Sequence, residues 1–294
     1  MMEKLLTVIT PVYNRAELIK NLYQSLIKQK KKNFIWLVVD NGSTDEIKTV
    51  MDQMIEESDF DIQFYQKENG GKHTALNLAF AKLETELAII VDSDDYLLPD
   101  AADRIEKTWC NRTDRDVAGC IFLKGYDDKN CVGHSELEDG TYDMIDAMFS
   151  HCIDGDKAEV FRSDVLKQYR FPEFPNERFI GEDYIWRQIY LQYKMMYVNK
   201  IIYICEYLEG GLTKQGRKLR IMCPLGGMEN SKVSFDKHFP LKERVKRAWL
   251  FVCYGKFAQM RFGEIVKKSQ SKMLIYINYF PGVMLYYYWK RKYL

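Results

Sequence analysis

Apolar and β-branched residues form four short runs within the first hundred residues, and polar turn residues follow each run. Runs of this length, bounded by turn signals and almost free of charge, predict strands. The first, second and fourth runs predict buried strands, and the third predicts a shorter strand. The predicted strands cover residues 5–10, 34–39, 62–65 and 87–91.

The segments between these runs carry apolar residues at helical spacing and predict helices. In the first segment Leu18, Leu22, Ser25 and Leu26 share one face, and Asn14 is positioned to cap the helix. Three further helices are predicted: one capped by Ser43 or Thr44 and ending at Met54, one over residues 74–83, and one over residues 100–109 with Pro99 in its first turn.

The order of these elements predicts an α/β fold with a mainly parallel, Rossmann-like sheet that helices cover on both faces. Right-handed crossovers bring every strand-to-helix loop to one edge of such a sheet, and open α/β sheets bind their ligands at that edge. The loops expected to converge there are residues 11–15, 40–45, 69–73 and 92–95.

Three carboxylates follow the fourth strand directly, in the segment Asp92-Ser93-Asp94-Asp95. Carboxylates this close repel one another, and a hard divalent cation such as Mg²⁺ or Mn²⁺ would relieve the repulsion while substrate phosphates fill its open positions. The alternative is that these residues only form a turn and start a helix, where aspartate is favoured for local hydrogen bonds.

Two other loops carry groups suited to a nucleotide. Asp40 ends the second strand, where a carboxylate can accept hydrogen bonds from a base or ribose or, alternatively, serve only as a turn or capping acid. Asn69-Gly70-Gly71-Lys72 is a glycine loop at the start of a helix, and its backbone N–H groups and lysine suit a diphosphate.

Taken in order, these segments resemble the signature of family 2 glycosyltransferases with the GT-A fold. The segments that carry the resemblance are TVITPVYNR at residues 7–15, VVDNGSTD at 38–45, NGGK and ALN within 69–77, and VDSDD at 91–95. Gly181-Glu182-Asp183 is similar to the late acidic motif of the family, so the resemblance extends over residues 4–213.

The resemblance implies inverting transfer of a sugar from a nucleotide-diphosphate donor, here expected to be a UDP-sugar. It implies that Pro11, Tyr13 and Asp40 contact the base and ribose, and that Lys72 lies near the diphosphate. The donor-binding set also includes Asn69, Gly71, Asp92 and Ser93.

The same resemblance implies a metal site and a general base. Asp94 would be the direct ligand of Mn²⁺ or Mg²⁺, with Asp92 sharing the metal and lying nearer the donor sugar or ribose. Asp183 would take the proton from the acceptor hydroxyl, and Glu182 would orient the acceptor or the base. The alternative for this pair is helix chemistry, because residues 182–193 have the pattern of an amphipathic helix with acids in its first turn.

The charge of this 294-residue chain is divided unevenly along its length, although the formal net charge is only +1. Residues 1–213 contain 25 basic and 38 acidic residues, whereas residues 214–294 contain 18 basic and 4 acidic residues. We therefore predict a catalytic domain over 1–213 and a basic, helical C-terminal region over 214–294. A motif for nucleic-acid binding is absent from the sequence, so an anionic partner of another class is expected.

The last segment combines aromatic and basic residues. Residues 273–289 carry no charge and are flanked by Lys272 and by Lys290-Arg291-Lys292, and Pro281-Gly282 is expected to interrupt this segment. Aromatic residues with flanking lysines predict peripheral attachment to an anionic membrane surface. The alternative is a helical tail that packs on the catalytic domain or on a second subunit of a homo-oligomer.

The seven cysteines are odd in number and form no CxxC pair, which predicts reduced thiols in a cytoplasmic protein. The expected function is therefore sugar transfer to a lipid-linked or surface-glycan acceptor, in polysaccharide biosynthesis for the cell envelope, at the inner face of the cytoplasmic membrane. Two other functions fit the same loops: a non-catalytic nucleotide-sugar binding module, and a sugar nucleotidyltransferase on a similar sheet.

Overall fold

The computed structural model describes residues 4–134, 137–150, 153–205 and 212–294. Within these ranges nine strands form one sheet: β1 (Leu6–Val12), β2 (Phe34–Asp40), β3 (Asp61–Gln66), β4 (Leu87–Ile90), β5 (Tyr96–Leu97), β6 (Gly119–Gly125), β7 (Gly140–Tyr142), β8 (Lys157–Arg162) and β9 (Met195–Ile204). The same ranges contain twelve helices: α1 (Ile19–Ile27), α2 (Ile47–Glu57), α3 (Lys72–Ala81), α4 (Ala101–Cys110), α5 (Met144–Ser150), α6 (Ser163–Leu166), α7 (Asp183–Tyr190), α8 (Leu212–Met222), α9 (Pro224–Val233), α10 (Leu241–Phe257), α11 (Phe262–Lys268) and α12 (Lys272–Tyr293).

The first four strands pair in parallel, as predicted. β1 pairs with β2 and with β4, and β2 pairs with β3, which gives the order β3-β2-β1-β4. The carboxyl ends of these strands therefore lie along one edge of the sheet, and the four predicted loops follow them at that edge.

The later strands extend the sheet beyond β4 with mixed pairing. β8 is antiparallel to β4 and to β6, β6 is parallel to β9, and β5 and β7 are antiparallel to β9. The full order is β3-β2-β1-β4-β8-β6-β9-β5, with β7 on β9. This arrangement carries Tyr203 of β9 back to the residues that follow β4.

Helices cover both faces of the parallel strands. On one face Val8, Trp36 and Ile89 are buried in a cluster with apolar residues of α1, α2 and α4. The alternate residues Ile9 and Leu37 are also buried, and α3 contacts β1 and β2. Continuous apolar strands are required for such a two-sided core, which is why their runs were visible in the sequence.

β1 continues through Pro11 to Val12, two residues beyond its predicted end. Pro11 lies opposite Val39 of β2, whereas the pairing of β1 with β4 ends at Ile9. A proline is tolerated at this position because β1 has a ladder partner on only one side there.

The chain divides into two compact units. The first unit, Met1–Arg170 with Gln192–Leu208, contains the sheet, and the second, Phe171–Leu191 with Glu209–Leu294, contains α7 to α12. The segment that includes α7 therefore belongs structurally with the C-terminal helices, whereas the predicted domain boundary lies after Thr213. As a division between functions, that boundary stays a prediction.

The core of the second unit is formed mainly by α10 and α12. Phe251 and Val252 of α10 are buried against Ile275 and Trp289 of α12, and Ile265 of α11 joins the same cluster. The region that the sequence identifies as basic thus has an apolar core of its own.

α12 is one continuous helix, so the predicted interruption at Pro281-Gly282 is wrong. Pro281 deprives the Ile277 carbonyl of its helical hydrogen bond, but Ile277 is 68% exposed and water can satisfy that group. A Cβ atom on Gly282 would lie 2.5 Å from the Cβ of Val252, so the glycine is needed for close contact between α12 and α10. Among the described residues, no helix has both the length and the apolarity to cross a bilayer.

The described cysteines are free thiols, and Cys152 lies outside the described residues.

Candidate active site

The loops after β1 and β2 are joined by side-chain hydrogen bonds. The backbone N–H of Thr44 donates to Asn14 Oδ1 at 2.7 Å, the N–H of Asn14 donates to Ser43 Oγ at 2.9 Å, and the N–H of Ala16 donates to Asp45 Oδ2 at 2.8 Å. Neither α1 nor α2 has a side-chain cap, so the capping roles predicted for Asn14 and for Ser43 or Thr44 are wrong. These side chains bind the neighbouring loop instead.

Asp40 lies at the carboxyl end of β2 and is 2% exposed. One carboxylate oxygen accepts from the N–H of Ser43 at 2.9 Å, and the other accepts from Gln66 Nε2 at 3.2 Å. Pro11 is buried on the adjacent strand, and Tyr13 is 44% exposed in the loop that follows it. The turn interaction that the sequence allowed for Asp40 is therefore present, and each oxygen keeps a lone pair for a further donor.

The glycine loop packs closely against the loop after β2. Asn41 Oδ1 accepts from the N–H of Gly70 at 3.1 Å, and Asn41 Nδ2 donates to Asn69 Oδ1 at 3.4 Å. A Cβ atom on Gly42, which has φ +77°, would lie 2.7 Å from the backbone nitrogen of Asn69. Gly71 adopts φ +96° immediately before α3, a conformation that favours glycine.

Lysine and arginine side chains from two of these loops bind the aspartates after β4. Lys72 Nζ lies 2.5 Å from Asp92 Oδ1, and Arg15 Nη1 donates to Asp94 Oδ2 at 2.7 Å. The chain therefore supplies its own cations to neutralise the carboxylate repulsion that the sequence indicated.

The charge environment keeps Asp92 ionised. Burial opposes ionisation of this carboxylate, but the positive charges of Lys72, Lys124 and Arg15 outweigh that effect, so the pKa of Asp92 lies below its ordinary value.

Tyr203 of β9 forms hydrogen bonds with the segment that follows β4, residues 92–95. Its hydroxyl donates to Asp95 Oδ2 at 2.6 Å and accepts from the N–H of Asp92 at 3.0 Å. Burial, reinforced by the charges of Asp92 and Asp95, raises the pKa of Tyr203 well above its ordinary value, so the phenol stays protonated and can donate. Ser93, between the two aspartates, is buried. The carboxylate of Asp95 is thus hydrogen-bonded to Tyr203 of β9, whereas those of Asp92 and Asp94 form ion pairs with Lys72 and Arg15.

The two remaining carboxylates fit a hard divalent cation only in part. Among the described residues, no group of three or more His, Cys, Asp or Glu side chains is arranged to hold a metal ion. Asp92 and Asp94 offer the oxygen donors that Mg²⁺ and Mn²⁺ prefer, and both carboxylates remain partly exposed. A bound cation would therefore need phosphate or water oxygens as its other ligands.

Asp183 is the first residue of α7 and lies in the second unit, with Glu182 directly before the helix. Asn230 Nδ2 donates to Asp183 Oδ1 at 2.6 Å, while Arg187 Nε and Arg247 Nη2 lie 3.5 and 3.8 Å from Oδ2. The side chain is still 44% exposed. The carboxylate therefore accepts one hydrogen bond from α9, forms longer ion pairs with arginines of α7 and α10, and remains open to solvent.

A buried acid supports these arginines. Glu243, which is 7% exposed, accepts from Arg247 Nε at 2.6 Å and from Arg187 Nη1 at 3.2 Å. Burial opposes ionisation of Glu243, but the two guanidinium groups outweigh it and lower its pKa to about 2. Arg187 also donates to Ser234 Oγ at 2.6 Å, so one network links α7, α9 and α10.

Three residues of these sites were not identified from the sequence. Arg15 is part of the first motif. Its position in the loop after a predicted strand could have identified it as a residue of the ligand-binding edge. Tyr203 follows Asp95 by 108 residues and Asn230 follows Asp183 by 47, and neither has a local pattern that links it to its partner.

The model of the family described as "Glycosyl transferase family 2" matches residues 7–170 of this sequence, more than half of the chain. The chain belongs to this family. The resemblance inferred from the four loops is confirmed, and the matched range contains the four loops that follow β1 to β4.

A curated relative and two solved structures illustrate the similarity. The GalNAc(5)-diNAcBac-PP-undecaprenol beta-1,3-glucosyltransferase of Campylobacter jejuni is 28% identical over 240 residues, which cover 78% of this chain and 73% of the relative. The structure of Staphylococcus aureus TarS 1–349 in complex with UDP-GlcNAc matches with a TM-score of 0.63 and 18% identity, covering 98% of this chain and 92% of that one. Mannosyltransferase PcManGT from Pyrobaculum calidifontis, in complex with GDP-Man and Mn²⁺, matches with a TM-score of 0.58 and 17% identity, covering 99% and 83%.

At this level of identity the two structures establish the GT-A fold of the chain. Other curated bacterial relatives are much longer, and the matched segments span 31% and 13% of the length of two of them.

Proposed function

We propose that this chain transfers a sugar from a UDP-sugar to a hydroxyl group of a lipid-linked or surface-glycan acceptor, with inversion at the anomeric carbon. The observation that carries the proposal is the cluster of Lys72, Arg15, Asp92 and Asp94 at the carboxyl edge of the parallel strands, in a chain of glycosyltransferase family 2.

The donor site follows from the loops of the first unit. Asp40 has lone pairs for the base or ribose, with Pro11 and Tyr13 beside it. Asn69, Gly71 and Ser93 shape the loops, and the N-terminus of α3 with Lys72 suits the diphosphate. The complex of TarS with UDP-GlcNAc supports a uridine donor.

A divalent cation, Mn²⁺ or Mg²⁺, is the proposed cofactor. Asp94 and Asp92 would hold it, and the cation, when bound, offsets the negative charge that develops on the leaving diphosphate. Lys72 and Arg15 would then turn from the aspartates towards phosphate oxygens and share that charge. The PcManGT complex with Mn²⁺ supports a metal in this fold.

Asp183 is the proposed general base and Glu182 its neighbour that orients the acceptor. The carboxylate of Asp183 accepts the proton of the acceptor hydroxyl as that oxygen bonds to the anomeric carbon. The bond from the anomeric carbon to the diphosphate oxygen breaks with its electron pair on the nucleotide, which leaves as the diphosphate. Attack from the face opposite the leaving group inverts the configuration.

The proposed acceptor and location follow from the relatives and from the charge of the C-terminal unit. The relative from C. jejuni is named for an undecaprenol-linked glycan, and the last 81 residues contain 18 basic and 4 acidic side chains. A lipid-linked acceptor would bring this chain to the anionic inner face of the cytoplasmic membrane, in the biosynthesis of a cell-envelope polysaccharide.

A panel of UDP-sugars with Mn²⁺ tests the proposal, with release of UDP that depends on an added glycan acceptor as the readout. Asp94→Ala should lower turnover on the order of 10³-fold, because one group that stabilises the leaving charge is lost. Asp52→Ala, which alters an exposed acid on α2, should retain the wild-type rate.

The two alternatives give different results in the same assay. A non-catalytic binding module would bind UDP-sugar and release no UDP, and a nucleotidyltransferase would form the nucleotide sugar from a sugar phosphate and UTP. Either result would reject the proposed transfer.

A further inference from the structure

The outward face of α12 carries a continuous stripe of apolar and aromatic side chains. Between Lys272 and Lys290, the residues of this helix that are more than half exposed are Met273, Tyr276, Ile277, Phe280, Met284, Tyr287 and Tyr288, with exposed fractions from 57 to 75%. We call these seven residues the α12 stripe. Their spacing of three and four residues keeps them on one side of the helix, over an axial length of about 23 Å.

The opposite side of α12 is fixed to the second unit. Ile275 and Trp289 are buried in the cluster with α10, and Trp249 Nε1 donates to Asn278 Oδ1 at 2.8 Å. The close approach at Gly282 fixes the same side. The helix therefore cannot rotate to bury the stripe without breaking its packing, and a helix that is apolar on both sides normally has a partner on each.

Positive charge surrounds the stripe. Lys272 is exposed at one end, and Lys290, Arg291 and Lys292 are exposed at the other. Residues 256–294 contain eight basic residues and one acid, Glu264. The partner of this surface should accordingly be apolar in its middle and anionic at its rim.

We propose that the α12 stripe is a membrane-docking surface on which the helix lies flat against a bilayer that contains anionic lipid. Met273, Ile277, Phe280 and Met284 would enter the acyl region, while the tyrosine hydroxyls and the terminal cations remain among the headgroups. This inference uses the proposed function only to name what the docked chain acts on, a lipid-linked acceptor. Docking itself requires no turnover.

A second copy of this chain fits the surface less well. A two-fold pair of α12 stripes would bring lysines and arginines of one copy to the cationic ends of the other. Like charges at an interface are costly, whereas anionic headgroups complement them.

Co-sedimentation of the full chain with vesicles tests the proposal, without donor or acceptor present. The chain should bind phosphatidylcholine vesicles that contain about 30% phosphatidylglycerol, and more weakly bind pure phosphatidylcholine. The double variant Ile277→Ser, Phe280→Ser should bind at least about 30-fold more weakly, because two large apolar groups are lost. Leu241→Ser is the matched control: it removes an exposed leucine of the same unit and should bind as the wild type does.

The charges are tested separately. Replacing Lys290, Arg291 and Lys292 with Gln should weaken binding to the anionic vesicles about fivefold per charge and leave binding to pure phosphatidylcholine unchanged. Circular dichroism and thermal unfolding should match the wild type for both sets of variants, because the altered side chains are exposed.

Three results would overturn the proposal. The first two are absence of wild-type binding to anionic vesicles, and binding by the double variant that equals that of the wild type. The third is a wild-type chain that is a dimer, and a double variant that is a monomer, in size-exclusion chromatography with light scattering. The last result would identify the stripe as a contact between copies. Asp94→Ala should still bind vesicles, because docking requires no turnover. A wild-type chain that binds anionic vesicles but releases no UDP would count against the proposed function alone.

Discussion

Lys72 and Arg15 bond to the same carboxylates that a metal ion would need. Because Lys72 contacts Asp92 and Arg15 contacts Asp94, the acids are neutralised without a metal ion, and metal binding requires these pairs to separate. Phosphate oxygens offer both side chains a new anionic partner. We therefore expect the donor diphosphate and the metal to bind cooperatively rather than in a fixed order.

The position of the Asp183 carboxylate can be tested through a neighbouring glycine. A Cβ atom on Gly181 would lie 2.6 Å from Asp183 Oδ1, so Gly181→Ala should push this carboxylate away from Asn230. We expect kcat to fall about 100-fold with the KM for the donor unchanged, as for the displacement of a positioned catalytic group. Steady-state kinetics with varied donor and acceptor measure the two constants.

Gly263→Ala is the control for that substitution, because a Cβ atom there meets no other atom within 4 Å. It should leave kcat and KM as in the wild type. Normal turnover by Gly181→Ala would mean that Asp183 is not the base.

The elements differ in how well local sequence determines them. β1, β2 and β4 were predicted to within about two residues because a strand buried on both faces must be apolar along its length. β3 was predicted to within one residue at each end, although its side chains are exposed or only partly buried. The helix caps were not predicted correctly, because the side chains of Asn14 and Ser43 bond to backbone N–H groups about 30 residues away, and a local pattern does not show such partners. The network around Asp183 and Arg187 is a similar case, since Asn230 and Glu243 are brought to α7 by tertiary packing.

α12 provides a test of packing between elements. Helix propensity alone would favour alanine over glycine at position 282 by about 1 kcal/mol. Because the new Cβ would lie 2.5 Å from the Cβ of Val252, we expect Gly282→Ala to lower the free energy of unfolding by about 1–3 kcal/mol instead. Urea unfolding followed by circular dichroism measures the sign directly. A gain in stability would show that α12 and α10 are not in close contact at this position.

At the scale of the whole molecule, each of the two compact units has its own core and its own candidate chemistry. The first contains the candidate nucleotide-binding edge of the sheet, and the second contains Asp183, the arginines that contact it and the α12 stripe. The net charge changes sign along the chain, with 25 basic and 38 acidic residues before residue 214 and 18 basic and 4 acidic residues from there on. The charge division was visible in the sequence, whereas the place of α7 among the C-terminal helices depended on the Arg187 network.

Glu243 should make the stability of the second unit depend on pH. Its pKa falls from an ordinary value of 4.5 to about 2 in the folded state, so its stabilisation is fully present above pH 4.5 and is lost as the pH falls towards 2. A change of this size corresponds to roughly 3 kcal/mol. Glu243→Gln should therefore be less stable than the wild type at pH 7 by about that amount, in part because the buried Arg187 and the partly buried Arg247 lose their acid.

Urea unfolding of both proteins between pH 7 and pH 2 measures this difference. The two curves should converge at the acidic end, where the wild-type carboxyl becomes protonated. A difference that stays constant over the whole range would show that the charge of Glu243 contributes nothing.

The most direct test of the account is a crystal grown with UDP and Mn²⁺, measured at the manganese absorption edge. We predict one anomalous peak within bonding distance of an Asp94 oxygen and of a UDP phosphate oxygen, with the uridine near Asp40 and Lys72 turned from Asp92 towards the diphosphate. Manganese bound away from Asp92 and Asp94, or UDP bound away from the carboxyl edge of the parallel strands, would contradict the account.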